Sequence, residues 1–438
     1  RYRLEGRLVV KEGVTLRGDW QKPGGKDSHQ GTTLAVVTDR GKPDAPATIT
    51  LERGSGIREM VVWYPDQKPD AIVPYPWTIR TSQTATGNNI TVHNVTLVNP
   101  YQAIKIGPEW NELHTIRNVY GTPLKTGIWI DTTTDIGRLI DVDFNWLWWP
   151  SSGLPGSPAT DDAKKALREF LASESVAFEM RRSDWEYVYQ ARAVGYAIGA
   201  VIRPGEKGTA NAVMYGCRLT RCGTALRLEG LNRIGLAVTG CRLYGDEYAV
   251  HAPASFDSTA QFHSALIAGR VLLDGPGTLT FQACTFLDRR DTDIVARRGQ
   301  LSLLECRFDR WIMPVTLGEG VRRARILDSQ PEGELRVENA SRGDVIITRF
   351  GPDFARAAYR GHAAAPMPRP ATRDLFAVTD FGAAPSEKDN TAAFARALDA
   401  ARRAGGGTVY VPAGNYRFAG EMVVPSGVEL RGSFDVPH

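Results

Sequence analysis

Residues 216–219 read Gly-Cys-Arg-Leu, and residues 240–243 read Gly-Cys-Arg-Leu again. Looser copies come earlier, as Glu59-Met60-Val61-Val62, Asn94-Val95-Thr96-Leu97, Asn118-Val119-Tyr120-Gly121 and Asp141-Val142-Asp143-Phe144. Others follow as Ala283-Cys284-Thr285-Phe286 and Glu305-Cys306-Arg307-Phe308. Early starts lie 24 and 23 residues apart, later ones 24, 43 (two periods) and 22. Longer steps, after Glu59 and between Asp141 and Gln190-Ala191-Arg192-Ala193, contain long loops. Apolar second and fourth residues around a polar third give the period-2 pattern of a strand with one buried face. One such strand per ~23 residues, about a dozen times over, stacks coil on coil at ~4.8 Å. No coil buries its apolar face alone, so the pattern predicts a solenoid. Three short strands per coil fit an all-β, right-handed parallel β-helix better than a leucine-rich horseshoe, which would want recurrent Leu-x-x-Leu-x-Leu.

The cysteines test this register. Four of the five (Cys217, Cys241, Cys284 and Cys306) hold the second, inward position of the tetrad. That is the place of a small buried hydrophobe. The five form no CxxC pair and no metal-ligand spacing. A net charge of +4 over 438 residues argues against nucleic-acid binding by bulk charge. No apolar run approaches the ~18 residues of a membrane span, the longest candidate being Ala193–Ile202.

The two ends of the chain match each other. Residues 1–23, RYRLEGRLVVKEGVTLRGDWQKP, align without a gap on residues 415–437, NYRFAGEMVVPSGVELRGSFDVP. The C-terminal copy has a prelude: a strand at 376–382, a helix at 391–404 and a strand at 408–412. Phe394, Ala397, Leu398 and Ala401 form the helix's apolar stripe, Asp389 or Asn390 can cap it, and Gly405-Gly406-Gly407 stops it. The N-terminal copy lacks the prelude, so the chain reads as a piece of something longer. The expected organisation is a β-helix domain over 1–361, a proline-bearing linker over 362–374, and the beginning of a second β-helix domain over 375–438.

The run VTDFGAAPSEKDNTAAFARALDAARRAGGGTVYVPAGNYRFAGEMVVPSGVELRG, residues 378–432, resembles the start of pectate-lyase-superfamily β-helices. In that superfamily, which includes the polygalacturonase-related glycoside hydrolases, a helix plugs the first coil and a Gly-Gly-Gly-Thr-Val-Tyr-Val-Pro-Ala-Gly stretch opens the first rung. Two such starts in one polypeptide resemble the tandem β-helix glycoside hydrolases, among them exo-β-1,3-glucanases. The resemblance identifies a scaffold that carries hydrolases, lyases, epimerases, tailspikes and adhesins, so function has to be argued from a site. The ordered motif set of the polygalacturonases is missing. Gly127-Ile128-Trp129-Ile130-Asp131 is similar to the Trp-Ile-Asp-His of one pectate lyase family, with Thr132 in place of the His.

Two excursions, roughly 64–88 and 145–185, leave the coil after the same strand and are expected to wall one long face. The second holds a helix predicted over 161–171, with Thr160 as N-cap and Asp161-Asp162 in its first turn. Tyr75 and Trp77 in the first excursion, Trp148, Trp149 and Trp185 in the second, and Trp129 between them are candidate sugar platforms. Each is as readily explained by sealing loops onto the coil. The outward third positions stack Arg192, Arg218 and Arg242, which read as a surface ladder or as a clamp for carboxylate or sulfate. Hydrolysis needs two carboxylates ~5–9.5 Å apart. The candidates are Asp131, Asp143, Glu179 and Asp184, with Asp135 and Glu186 behind them.

The leading expectation is a secreted or periplasmic glycoside hydrolase acting on a polysaccharide with the help of a second β-helix domain of the same polypeptide, and using no metal or other cofactor. The alternative is a polysaccharide lyase or epimerase on uronate chains. There Arg192, Arg218 or Lys105 would neutralise the carboxylate while a base removes the adjacent proton, and a lyase would admit Ca²⁺. A third reading is a glycan-binding stalk with no chemistry.

Overall fold

The computed structural model describes residues 1–24, 30–84, 87–287, 293–309, 312–331, 334–348 and 370–432. The chain divides into two compact units, Arg1–Gly361 and His362–His438. In the first, every ladder between named strands is parallel. On one sheet Leu8, Ile49, Ile79, Ile104, Ile128, Phe178, Ala200, Leu226 and Val250 stand in register in successive coils and all but Leu8 are buried. The molecule is therefore the expected all-β parallel β-helix, with a core running along its axis.

The tetrad's inward position forms the expected ladder. Cys217, Cys241, Cys284 and Cys306 are all fully buried, with Ala265 filling the coil between the second and third. Cys217 N donates to Cys241 Sγ at 3.3 Å, and Ser329 takes over one coil past Cys306, its Oγ accepting from Cys306 N at 3.2 Å. Farther in, Phe262 stacks on Phe281 at 4.5 Å between ring centres, and Phe286 on Phe308 at 5.1 Å.

The first position of the tetrad, which the period-2 pattern leaves unexplained, is the corner of the coil. Glu59, Asn94, Asn118, Asp141, Gln190, Gly216, Gly240, Ser264, Ala283, Glu305 and Asp328 all have φ between 46° and 63°. This left-handed conformation is free for Gly, tolerable for Asn and Asp, and costs other residues about 1–2 kcal/mol. Asn118 Nδ2 donates to Asn94 Oδ1 across adjacent corners at 2.9 Å.

Both excursions are shorter than expected. Trp77–Thr81 and Val176–Met180 are regular strands of the coil, paired on both sides, so the loops proper are residues 64–76 and 146–175. They meet: a side chain at Gly156 would lie 3.8 Å from the carbonyls of Pro65 and Gln67. Helix α1 spans Asp161–Glu174, with Thr160 Oγ1 accepting from Ala163 N at 3.2 Å.

The second unit holds three parallel strands and helix α2, Thr391–Arg403. Phe394, Ala397, Leu398 and Ala401 are buried as the stripe requires. Asp389 Oδ1 accepts from Thr391 N at 2.9 Å, while Asn390 turns its carbonyl to Ala384 N. Gly405, Gly406 and Gly407 all have positive φ. Most of the linker expected over 362–374 lies outside the described residues.

Candidate active site

Beside the inward row of isoleucines, the outward neighbours on the same strands are Arg80, Lys105, Trp129 and Glu179, one per coil. Trp77 opens the strand that carries Arg80. Adjacent coils hold these side chains ~4.8 Å apart at the backbone, which forces unlike groups into contact. Lys105 Nζ lies 4.5 Å from the centre of the Trp129 ring and 5.7 Å from that of Trp77. The Arg181 guanidinium covers Trp129 at 5.2 Å.

Among the described residues Lys105 has no carboxylate within ion-pairing reach. Partial burial holds its amine below the usual lysine range, and the positive charge of Arg80 pushes the same way. Glu109 opposes this less strongly, and Arg181 then adds to it. The neighbouring cations are held in place by acids. Arg80 Nη2 donates to both oxygens of Glu109, at 3.0 and 3.2 Å. Arg181 Nε donates to Glu179 Oε1 at 2.8 Å, and Arg203 lies between Glu179 and Glu229 at 3.8 and 3.5 Å.

The four carboxylates nominated for hydrolysis are engaged elsewhere. Asp131 is 3% exposed. Its Oδ1 accepts from Arg182 N at 3.2 Å and from Thr132 Oγ1 at 3.3 Å. The backbone of Gly205 covers it so closely that a Cβ there would sit 2.5 Å from Oδ1. Burial raises its pKa, but the group orders a turn and faces no open space. Glu179 is clasped by Arg181 and Arg203, and Asp184 Oδ2 accepts from Arg182 Nη2 at 2.6 Å. Asp143 stands on a different outward row, where Arg192 Nη1 donates to its Oδ2 at 3.2 Å; burial raises its pKa against the pull of Arg192. Glu186 points into the core, 3.1 Å from His114 Nε2.

The aromatic candidates divide. Trp77 and Trp129 flank Lys105, as above. Tyr75 and Trp149 are completely enclosed, which corrects their expected role as sugar platforms; they fasten the excursions to the coil. Trp148 packs edge-on against Tyr120 at 5.8 Å and belongs to the same seal. Trp185 is 42% exposed. Arg192, Arg218 and Arg242 do stack in register, away from Lys105's row, and Arg218 and Arg242 are exposed. Sequence reasoning missed Arg80, Arg181, Trp110 and Lys207. Arg80 and Arg181 follow Trp77 and Glu179 closely, but only the pairing of coils brings them to Lys105. No group of three or more acidic, His or Cys side chains that could hold a metal occurs among the described residues.

Comparisons with known proteins give one family match, placed in the chain's second unit, and several similar proteins. Residues 375–437 match the family described as rhamnogalacturonase A/epimerase, pectate lyase-like. A 46-residue stretch, 10% of the chain, is 59% identical to mannuronan C5-epimerase AlgE3 of Azotobacter vinelandii, covering 2% of that protein. A 44-residue stretch is 59% identical to mannuronan C5-epimerase AlgE1 of the same organism, covering 3% of it. The chain thus spans only a few per cent of the length of these curated relatives. Among solved structures, the A-module of Azotobacter vinelandii mannuronan C5-epimerase AlgE4 aligns over 81% of this chain and 88% of its own, at 10% identity and a TM-score of 0.36. The chain thus joins a parallel β-helix in its first unit to a second unit that matches a pectate-lyase-like family over residues 375–437.

Proposed function

We propose that the chain belongs to a carbohydrate-active enzyme that removes the C5 proton of a uronate residue in a polysaccharide, as a C5-epimerase or a lyase. The observation that carries this is Lys105: a half-buried amine with a lowered pKa, two indoles beside it, two arginines near it and no acid paired to it among the described residues. The epimerase and pectate-lyase-like names of its relatives support the same reaction class, and the hydrolase expectation gives way to this alternative.

A uronate carboxylate would take Arg80 and Arg181 as counter-charges, drawing on guanidiniums already fixed by Glu109 and Glu179. Withdrawing charge through that carboxylate acidifies C5–H. The unprotonated Lys105 amine takes the proton and becomes an ammonium, whose charge the two indole faces offset in part against the water lost to burial. A proton delivered from water to the opposite face of C5 gives the epimer; breaking the C4–O bond, with the departing glycosidic oxygen taking a proton from water, gives the unsaturated end of a lyase product. Trp77 and Trp129 would hold the apolar face of the sugar. A polysaccharide substrate of this kind lies outside the cytoplasm, which fits a secreted or periplasmic enzyme.

Replacing Lys105→Met tests this. Its amine is removed and its stem kept, so the fold should persist by circular dichroism while turnover of polyuronate falls about 100-fold or more. Wild-type turnover in the folded variant would sink the assignment.

A further inference from the structure

Beyond the Lys105 row, where the strands end and the coil turns, a third indole stands out. Trp110 is 49% exposed. The Arg182 guanidinium lies 5.5 Å from its ring centre and Lys207 Nζ 4.6 Å. Arg182 is the chain neighbour of Arg181, which covers Trp129. One two-residue step therefore carries a guanidinium over each indole, and the two aromatic–cation groups are continuous around the corner.

This corner is built. Asn111, Thr133 and Ser183 pair through parallel bridges in successive coils, and Asn111 Nδ2 donates to Asp131 O at 2.8 Å. Arg182 is pinned three ways: its Nη1 donates to Thr133 O, its Nη2 to Asp184 Oδ2, and its backbone N to Asp131 Oδ1. Lys207 Nζ reaches Pro108 O at 3.4 Å and meets no carboxylate among the described residues. Half of the indole surface thus stays open to solvent beside an amine that no carboxylate neutralises among the described residues. A half-exposed indole with two cations over its ring offers apolar surface and positive charge together, which matches a pyranose bearing a carboxylate better than a neutral sugar.

We infer that Trp110, Arg182 and Lys207 form a flanking subsite that binds a second uronate residue of the same polysaccharide chain, next to the one at Lys105. This rests on the reading of the Lys105 row as a polyuronate site. The substrate then bends over the coil's edge, from Trp77 and Trp129 to Trp110, and the enzyme selects runs of acidic sugars over isolated ones.

Affinity electrophoresis of the full chain tests it without needing turnover, with polymannuronate or polygalacturonate cast into a native gel and β-1,3-glucan as the neutral control. Trp110→Ala and Lys207→Gln should each weaken retardation by polyuronate about tenfold, with Trp110→Phe and Lys207→Arg recovering most of it. Retardation of both variants at the wild-type level overturns the subsite, as does a wild-type protein that polyuronate fails to retard. Equal losses on the neutral glucan overturn its preference for uronate. If the wild type is retarded in a Trp110-dependent way yet abstracts no C5 proton, the subsite stands and the proposed reaction falls.

Discussion

Lys105 can act as a base only when it carries no proton, and its surroundings set when that happens. Burial and Arg80 disfavour the ammonium, so the neutral amine is reached at lower pH than on a free lysine. Activity on polyuronate should climb as pH rises through that lowered value, then level off. Lys105→Arg, whose guanidinium keeps its proton, should be inactive across the same range; a pH–rate profile shows both. This role differs from the one the sequence suggested, where Lys105 was to neutralise the carboxylate. A lysine's burial and neighbours are set by which coil stacks on which, and its own strand gives neither. The thiols make a second residue-scale prediction. Burial pushes Cys222 and Cys284 up to about 12, and raises Cys241 and Cys306 as well. Folded thiols stay neutral where unfolded ones ionise, near pH 8.5. Their contribution to stability is therefore full below about pH 8.5 and is lost as pH rises toward their folded values. Urea midpoints should fall between pH 8 and pH 10, and a thiol reagent at pH 8 should label the protein only once it is unfolded.

At the scale of the element, the repeating corner carries a cost that sequence can set. Asn118 accepts a φ of 52° and bonds to Asn94; Asn118→Ala loses the bond and keeps the strained conformation. That variant should lose about 1–2 kcal/mol in urea unfolding, whereas Gly in the same place should cost far less. Asn118→Ala with unchanged stability would show that the corner tolerates any residue. This position explains what was and was not legible. Period-2 alternation exposed the inward Cys ladder and the outward Arg ladder, since both obey it. The corner breaks the period, so its residues look unrelated (Glu, Asn, Asp, Gln, Gly, Ser, Ala) until their shared backbone angle is known. The excursions were overdrawn for a related reason. Trp77–Thr81 and Val176–Met180 sit beside long loops and carry bulky outward residues, which masked their alternation.

Over the whole molecule, the coil was readable because a repeat announces itself many times, while the site was not because it is assembled across coils. Of the residues singled out from sequence, Lys105, Trp77, Trp129 and Glu179 meet on one face, and Asp131 lies beneath its edge. Asp143, Arg192 and Arg218 lie along another row, and Tyr75 and Trp149 are sealed inside. The decisive feature was electrostatic rather than positional. Asp131, Asp143, Glu179 and Asp184 each have a cation or a backbone donor, whereas the Lys105 amine is flanked by indoles and pairs with no acid among the described residues. Proton exchange at C5 tests that directly. Polyuronate incubated with the enzyme in deuterated water should lose its C5 proton signal, either replaced by deuterium in an inverted residue or removed in an unsaturated end, and Lys105→Met should abolish the change. New reducing ends from polyuronate or a neutral glycan, with every C5 proton retained, would contradict it.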